Sequence, residues 1–109
     1  MPETLKLLAQ SVPTATTETA IYTVPSSTQI VVSGISVCNR GSTSTTFRIY
    51  AAINGAVTTN AQYLYYDTHV GPNDTVCVCQ GLTLDASDVI RIYAGNGNLS
   101  FNLFGSEIT

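Results

Sequence analysis

The chain has 109 residues and a mass of 11.5 kDa, the size of one domain. Hydrophobic residues make up 44% of it, enough for a sizeable core, while charged residues are only 10%, against roughly 25% in an ordinary soluble domain, and sum to −3. Lys6, Arg40, Arg48 and Arg91 are scattered, which argues against nucleic acid as a partner, and no stretch approaches the ~20 apolar residues of a membrane-spanning helix.

Thr, Val, Ile, Tyr and Phe dominate, and these residues favour a pleated, half-buried surface. Residues 1–18 read as an extended N-terminal arm, separate from a single β domain over 19–109. The arm carries Leu5, Leu7 and Leu8 on a first strand at 4–10, then a Pro/Thr-rich connector from Pro13 to Thr17. Deleting residues 1–12 should on this reading leave the fold intact. The start lacks a basic region followed by a long apolar run, so no secretory signal is expected. Further strands are predicted at 19–24 and 29–39. Within 29–39 the apolar phase changes from Ile30 and Val32 to Ile35 and Val37, which predicts a β-bulge at Gly34. Phe47, Ile49, Ala51 and Ile53 alternate with Arg48, Tyr50 and Ala52 in a strand at 45–53. Strands at 61–67, 74–80, 88–94 and 98–104 complete a set of about eight. Asn96-Gly97, between the last two, predicts a hairpin because both residues tolerate positive φ. Many short strands with regular turns give an all-β fold, an antiparallel sandwich or jelly roll.

Chemistry is sparse. His69 is the only histidine, placed at a strand end or turn facing solvent, and any general-base or triad reading must be built on it. Zinc could take Cys38, Cys77, Cys79 and His69, but a C-x-C inside a Thr/Val strand does not form the usual knuckle. Cys77 and Cys79 also make a poor disulfide, so all three thiols are read as reduced, packed as small hydrophobes in a reducing cytoplasm. Asp74, Asp85 and Asp88 could donate oxygens to calcium, yet no acidic loop of the required spacing is present, and aspartates in turns more often bond their own backbone. Phosphate-binding, dinucleotide and nucleophile-elbow motifs are all missing from the sequence. The expectation is a protein without enzymatic activity, metal or cofactor. Tyr63, Tyr65 and Tyr66 fall within four residues, and in a regular strand Tyr63 and Tyr65 share a face. Either one face fills the core while the other packs on Tyr50 or Tyr93, or an exposed aromatic stripe binds a sugar or protein partner.

Several stretches in order form a familiar pattern: Leu8-Ala9-Gln10-Ser11, Ile21-Tyr22-Thr23-Val24-Pro25, Val37-Cys38-Asn39-Arg40-Gly41 and Thr46-Phe47-Arg48-Ile49. Tyr63-Leu64-Tyr65-Tyr66-Asp67, Gly81-Leu82-Thr83-Leu84, Asp88-Val89-Ile90-Arg91-Ile92-Tyr93-Ala94 and Leu99-Ser100-Phe101-Asn102-Leu103-Phe104-Gly105 come after them. The pattern covers nearly the whole chain and resembles small β-sandwich virion structural proteins of tailed bacteriophages. The resemblance implies no catalytic residues. It implies a virion component assembled in the cytoplasm of the host bacterium, its partners the major capsid protein or other virion proteins, and itself a homo-oligomer, a trimer or dimer. The short length, with no fibre repeat, favours a capsid decoration (cement) protein. The alternative is a tail, baseplate or fibre-associated module binding a receptor or glycan. The expected protein contacts are Leu5, Leu7 and Leu8 on the arm, and Tyr63 and Tyr65 on the aromatic strand.

Overall fold

A computed structural model describes residues 3–78 and 81–109. Nine strands are described: β1 (Glu3–Ser11), β2 (Thr19–Thr23), β3 (Gln29–Asn39), β4 (Thr45–Ala52), β5 (Tyr63–Val70), β6 (Thr75–Val78), β7 (Leu82–Leu84), β8 (Val89–Ala94) and β9 (Leu99–Ile108). Two single-turn 3-10 helices, Ile53–Gly55 and Asn60–Gln62, lie between β4 and β5. The strands form two antiparallel sheets. Sheet A runs β1-β9-β3-β6, with β7 also paired to β3, and sheet B runs β2-β8-β4-β5.

The pairing is nested. β4 pairs with β5, β3 with β6 and β7, β2 with β8, and β1 with β9. Taking β6 and β7 as one interrupted strand, this is a long hairpin folded over on itself, which makes the sandwich a jelly roll. Leu82–Leu84 is the strand that alternation alone does not reveal. Three residues give too short an alternation to register, but Leu84 points inward and Thr83 outward opposite Val31.

Between the sheets lies the core, built from the inward half of each alternation. Ile30, Val32, Ile35 and Val37 of β3, Phe47 and Ile49 of β4, Ile90 and Ile92 of β8, and Leu99, Phe101 and Leu103 of β9 are all buried. Phe47 and Phe101 meet edge to face across the sheets, centroids 6.3 Å apart. Burial of each such side chain contributes about 1.5–3 kcal/mol. The bulge expected in β3 is present: the register against β9 shifts between Val32 and Gly34, leaving Ser33 unopposed. A matching shift in β1, between Leu7 and Ala9, leaves Leu8 unopposed, and Leu8 and Ala9 pack onto the core.

Two expectations change. The N-terminal segment is extended, but β1 is tied to β9 from Glu3 to Ser11 and forms one edge of sheet A. Deleting residues 1–12 would strip β9 of a paired strand, so such a truncation would not leave the fold intact. Asn96-Gly97 is not a hairpin turn. β8 belongs to sheet B and β9 to sheet A, so residues 95–98 carry the chain from one sheet to the other. The Gly95 amide still donates to Thr46 O (2.9 Å), while the Arg40 amide donates to Asn98 O (3.0 Å), so the two ends of the segment are held by different sheets. Neither Asn96 nor Gly97 has positive φ; the Asn-Gly pair that does is Asn54-Gly55 (φ 54° and 67°).

Candidate functional site

Two surfaces stand out, one on each sheet. On the outer face of sheet B, β4 and β8 each contain Arg-Ile-Tyr, and they pair antiparallel so that Arg48 opposes Tyr93, Ile49 opposes Ile92 and Tyr50 opposes Arg91. The isoleucines point into the core, and the Arg and Tyr side chains lie on the outer face. The Arg48 guanidinium sits between two rings, 4.3 Å from the Tyr66 centroid and 4.4 Å from that of Tyr93. Its Nε donates to Asp67 Oδ1 at 2.7 Å and its Nη2 reaches Asp67 Oδ2 at 3.4 Å. Asp67 chiefly, through this hydrogen bond, holds Arg48 more firmly protonated than usual. Tyr66 meets Tyr63 edge to face at 4.8 Å, and Tyr63 meets Tyr50 at the same separation.

Bulges in β5 make this arrangement. Tyr63 opposes Tyr50, Tyr65 opposes Ile49 and Thr68 opposes Phe47, with register shifts between them. Leu64 is therefore unopposed, and Tyr66 and Asp67 together face Arg48. Asp67 takes φ 50°, a conformation aspartate adopts more readily than most residues. Simple alternation puts Tyr63 and Tyr65 on one face; the extra residue reverses that. Tyr65 packs on the core against Phe47, and Tyr63 shares the outer face with Tyr66. Bulges re-aim side chains in this way beside functional surfaces. Arg48 does not stand out in the sequence as a site residue, although a signal is present in the repeated Arg-Ile-Tyr of two strands.

The loop over residues 53–62 is fastened beside this row. Arg91 Nη1 donates to Ala56 O (2.8 Å) and Thr58 Oγ1 (3.1 Å), its Nη2 donates to Gly55 O (3.2 Å), and Glu18 lies 3.8 Å from its Nε. The Thr58 hydroxyl donates to Glu18 Oε1 (2.9 Å). At the end of the loop, Asn60, Tyr63 and Tyr66 line an open depression of about 390 Å³. Gln62, in the same turn as Asn60, donates to Val57 O, and its Oε1 is buried with no partner among the described residues.

Tyr50 is fully buried in spite of its outward position. Burial first, and then the Glu18 carboxylate, raises its phenol above the ordinary 10.0, and Tyr22 is raised by burial and its hydrogen bond to Glu107. The folded chain thus keeps protons that the unfolded chain gives up. The stability this provides is complete below pH ~10 and is lost as pH climbs from there through the raised folded values. Thermal melts are expected to hold level up to about pH 9 and decline above pH ~10. A tyrosinate absorbance titration should show a subset of the six tyrosines ionising only as the chain unfolds. A melting temperature unchanged into strong alkali would contradict this.

The outer face of sheet A differs. Leu7 pairs with Phe104, and Leu5 pairs with Ser106, which in turn pairs with Val31. Leu5, Leu7, Val31 and Phe104 are all exposed, Leu5 at 80%, so they form an apolar patch spanning three strands. Further along the face Gln10 donates to Asn102 Oδ1 (2.7 Å), and the charges stand at its ends, Glu3 at one and Arg40, bonded to Ser100 Oγ (2.8 Å), at the other. Lys6 and Glu107 pair at 3.3 Å on inward positions of the edge, where Tyr22 also donates to Glu107. Of the three arm leucines, Leu5 and Leu7 join this patch, and Leu8 turns to the core.

The remaining candidates do not converge. Cys38 and Cys77 lie on the outer face of sheet A, with Cys77 exposed rather than packed, and Cys79 lies outside the described residues. His69 is exposed on β5 of sheet B, so it cannot join Cys38 and Cys77 around one ion. Asp88 accepts from the amides of Asn54 and Asp85, and Asp74 from that of Thr75, so these carboxylates hold turns. Among the described residues no group of three His, Cys, Asp or Glu is placed to hold a metal. No protein-family model matches the chain, and a search of curated proteins finds no match.

Proposed function

We propose that the chain is a structural subunit of a tailed-phage virion, a decoration protein that seats the outer face of sheet A on the head lattice. The resemblance running through nearly the whole sequence supports the virion assignment. The apolar patch of Leu5, Leu7, Val31 and Phe104 carries the docking half of the reading. An exposed apolar cluster on a sheet face whose charges stand only at its ends suits burial against another protein, the major capsid protein or a second copy in a dimer or trimer. Modest contacts per copy become strong when lattice symmetry repeats them. The jelly roll fits the task as well, since short turns and a mostly paired backbone leave few sites for proteases.

The test is occupancy on phage heads that lack the protein, imaged after mixing with purified chain. Wild-type protein should add density to the shell. The double substitution Leu7→Ser with Phe104→Ser should cut occupancy at least tenfold, while stability moves by no more than about 1 kcal/mol because both side chains are exposed. Density on the tail, no density, or equal occupancy by the double variant would each overturn the reading.

A further inference from the structure

We infer that the depression beside Tyr66 on sheet B is a binding site for a neutral glycan. The inference is independent of the docking reading, which concerns the opposite face of the sandwich. Tyr66 is 58% exposed, an unusual state for a ring held so firmly. Arg48 covers part of it, Tyr63 meets it edge to face, and Asp67 fixes Arg48 in turn. A ring fixed before the ligand arrives costs little entropy on binding. Its open side, with Tyr63 and Asn60, borders the depression of about 390 Å³.

The chemistry at the rim selects the ligand. The phenol hydroxyls of Tyr63 and Tyr66 and the Asn60 amide make no hydrogen bond with the described residues, so donors and acceptors stand around an aromatic surface. That pairing suits a ligand with one apolar face and a girdle of hydroxyls, which describes a pyranose ring. Charge narrows the class further. Of the two arginines on this face, Arg48 is neutralised by Asp67 with its faces against Tyr66 and Tyr93, and Arg91 is tied to Gly55 O, Ala56 O and Thr58 with Glu18 beside it, so neither has much to offer a carboxylate, sulfate or phosphate. The site fits a neutral sugar and disfavours a sialylated or phosphorylated one.

The experiment is a printed array of neutral and acidic oligosaccharides probed with the full chain, followed by saturation-transfer NMR on the bound sugars. Neutral glycans are expected to bind, with saturation strongest on one face of a ring. Tyr66→Ala should weaken binding at least tenfold and leave the melting temperature in place, and Tyr66→Trp should keep it. Binding to acidic glycans alone, no binding to any neutral glycan, or full binding by Tyr66→Ala would each overturn the inference. No neutral-glycan binding by the wild-type chain, with normal head occupancy, would overturn this site and spare the docking reading.

Discussion

Gly105→Ala is expected to destabilise the protein by about 3–5 kcal/mol and lower its Tm by roughly 15 °C or more, read by thermal melts. Gly105 occupies an inward position of β9, opposite Val32 of β3 on one side and Lys6 of β1 on the other. A Cβ there would collide with the Val31 carbonyl and come within 3.0 Å of Val32 Cα. Those are backbone atoms, so no rotamer change relieves the clash. Either β9 withdraws from β3 and the central ladder of sheet A opens, or the chain stays unfolded. Gly97→Ala is the matched control, since nothing lies within 4 Å of a Cβ at that position. It should shift stability by less than about 1 kcal/mol. Equal melting of the two variants would refute the close approach.

Asn39→Leu is the second large effect, with an expected loss of about 2–4 kcal/mol and a Tm lower by roughly 10–20 °C. Asn39 ends β3 and is 0% exposed. Its Nδ2 donates to Thr43 O (2.8 Å) and Gly71 O (3.1 Å), and its Oδ1 accepts from the Gly41 amide (2.9 Å). One side chain thereby ties residues 40–44 to residues 71–74, and the Asn73 amide adds a bond to Gly41 O. Leucine fills similar volume but leaves three backbone groups without their partner. Hydrogen exchange at the Gly41 amide should quicken well beyond the global change. Unaltered exchange there would show that water or a neighbouring group replaces the amide.

The all-β class was legible because alternation is a local property: Phe47 to Ala52 and Val89 to Ala94 each display their inward and outward halves along the chain. The bulge at Gly34 was legible for the same reason, since the apolar phase itself changes there. Strand partners were not. Asn96-Gly97 has the composition of a hairpin turn, but whether the next strand stays in the same sheet depends on what β3 and β4 offer, and Thr46 and Arg40 lie far earlier in the chain. The aromatic surface failed in the same way. Tyr63 and Tyr65 share a face only while β5 runs in regular register, and the shifts opposite Ile49 and Tyr50 are set by pairing with β4. Leu5 and Leu7 were found because an apolar residue on an arm is conspicuous; Val31 and Phe104, which complete their patch, look like ordinary strand residues until the sheet is assembled.

The nested pairing has a kinetic corollary. β9 is made after the other eight described strands, yet it lies between β1 and β3 in the middle of its sheet. A nascent chain can close the β4–β5 hairpin early, but half of the sandwich must wait until the ribosome has delivered Leu99 and the residues beyond it. Until then the first strand has no mate, and its leucines face water as adhesive tape faces the air before it is pressed down.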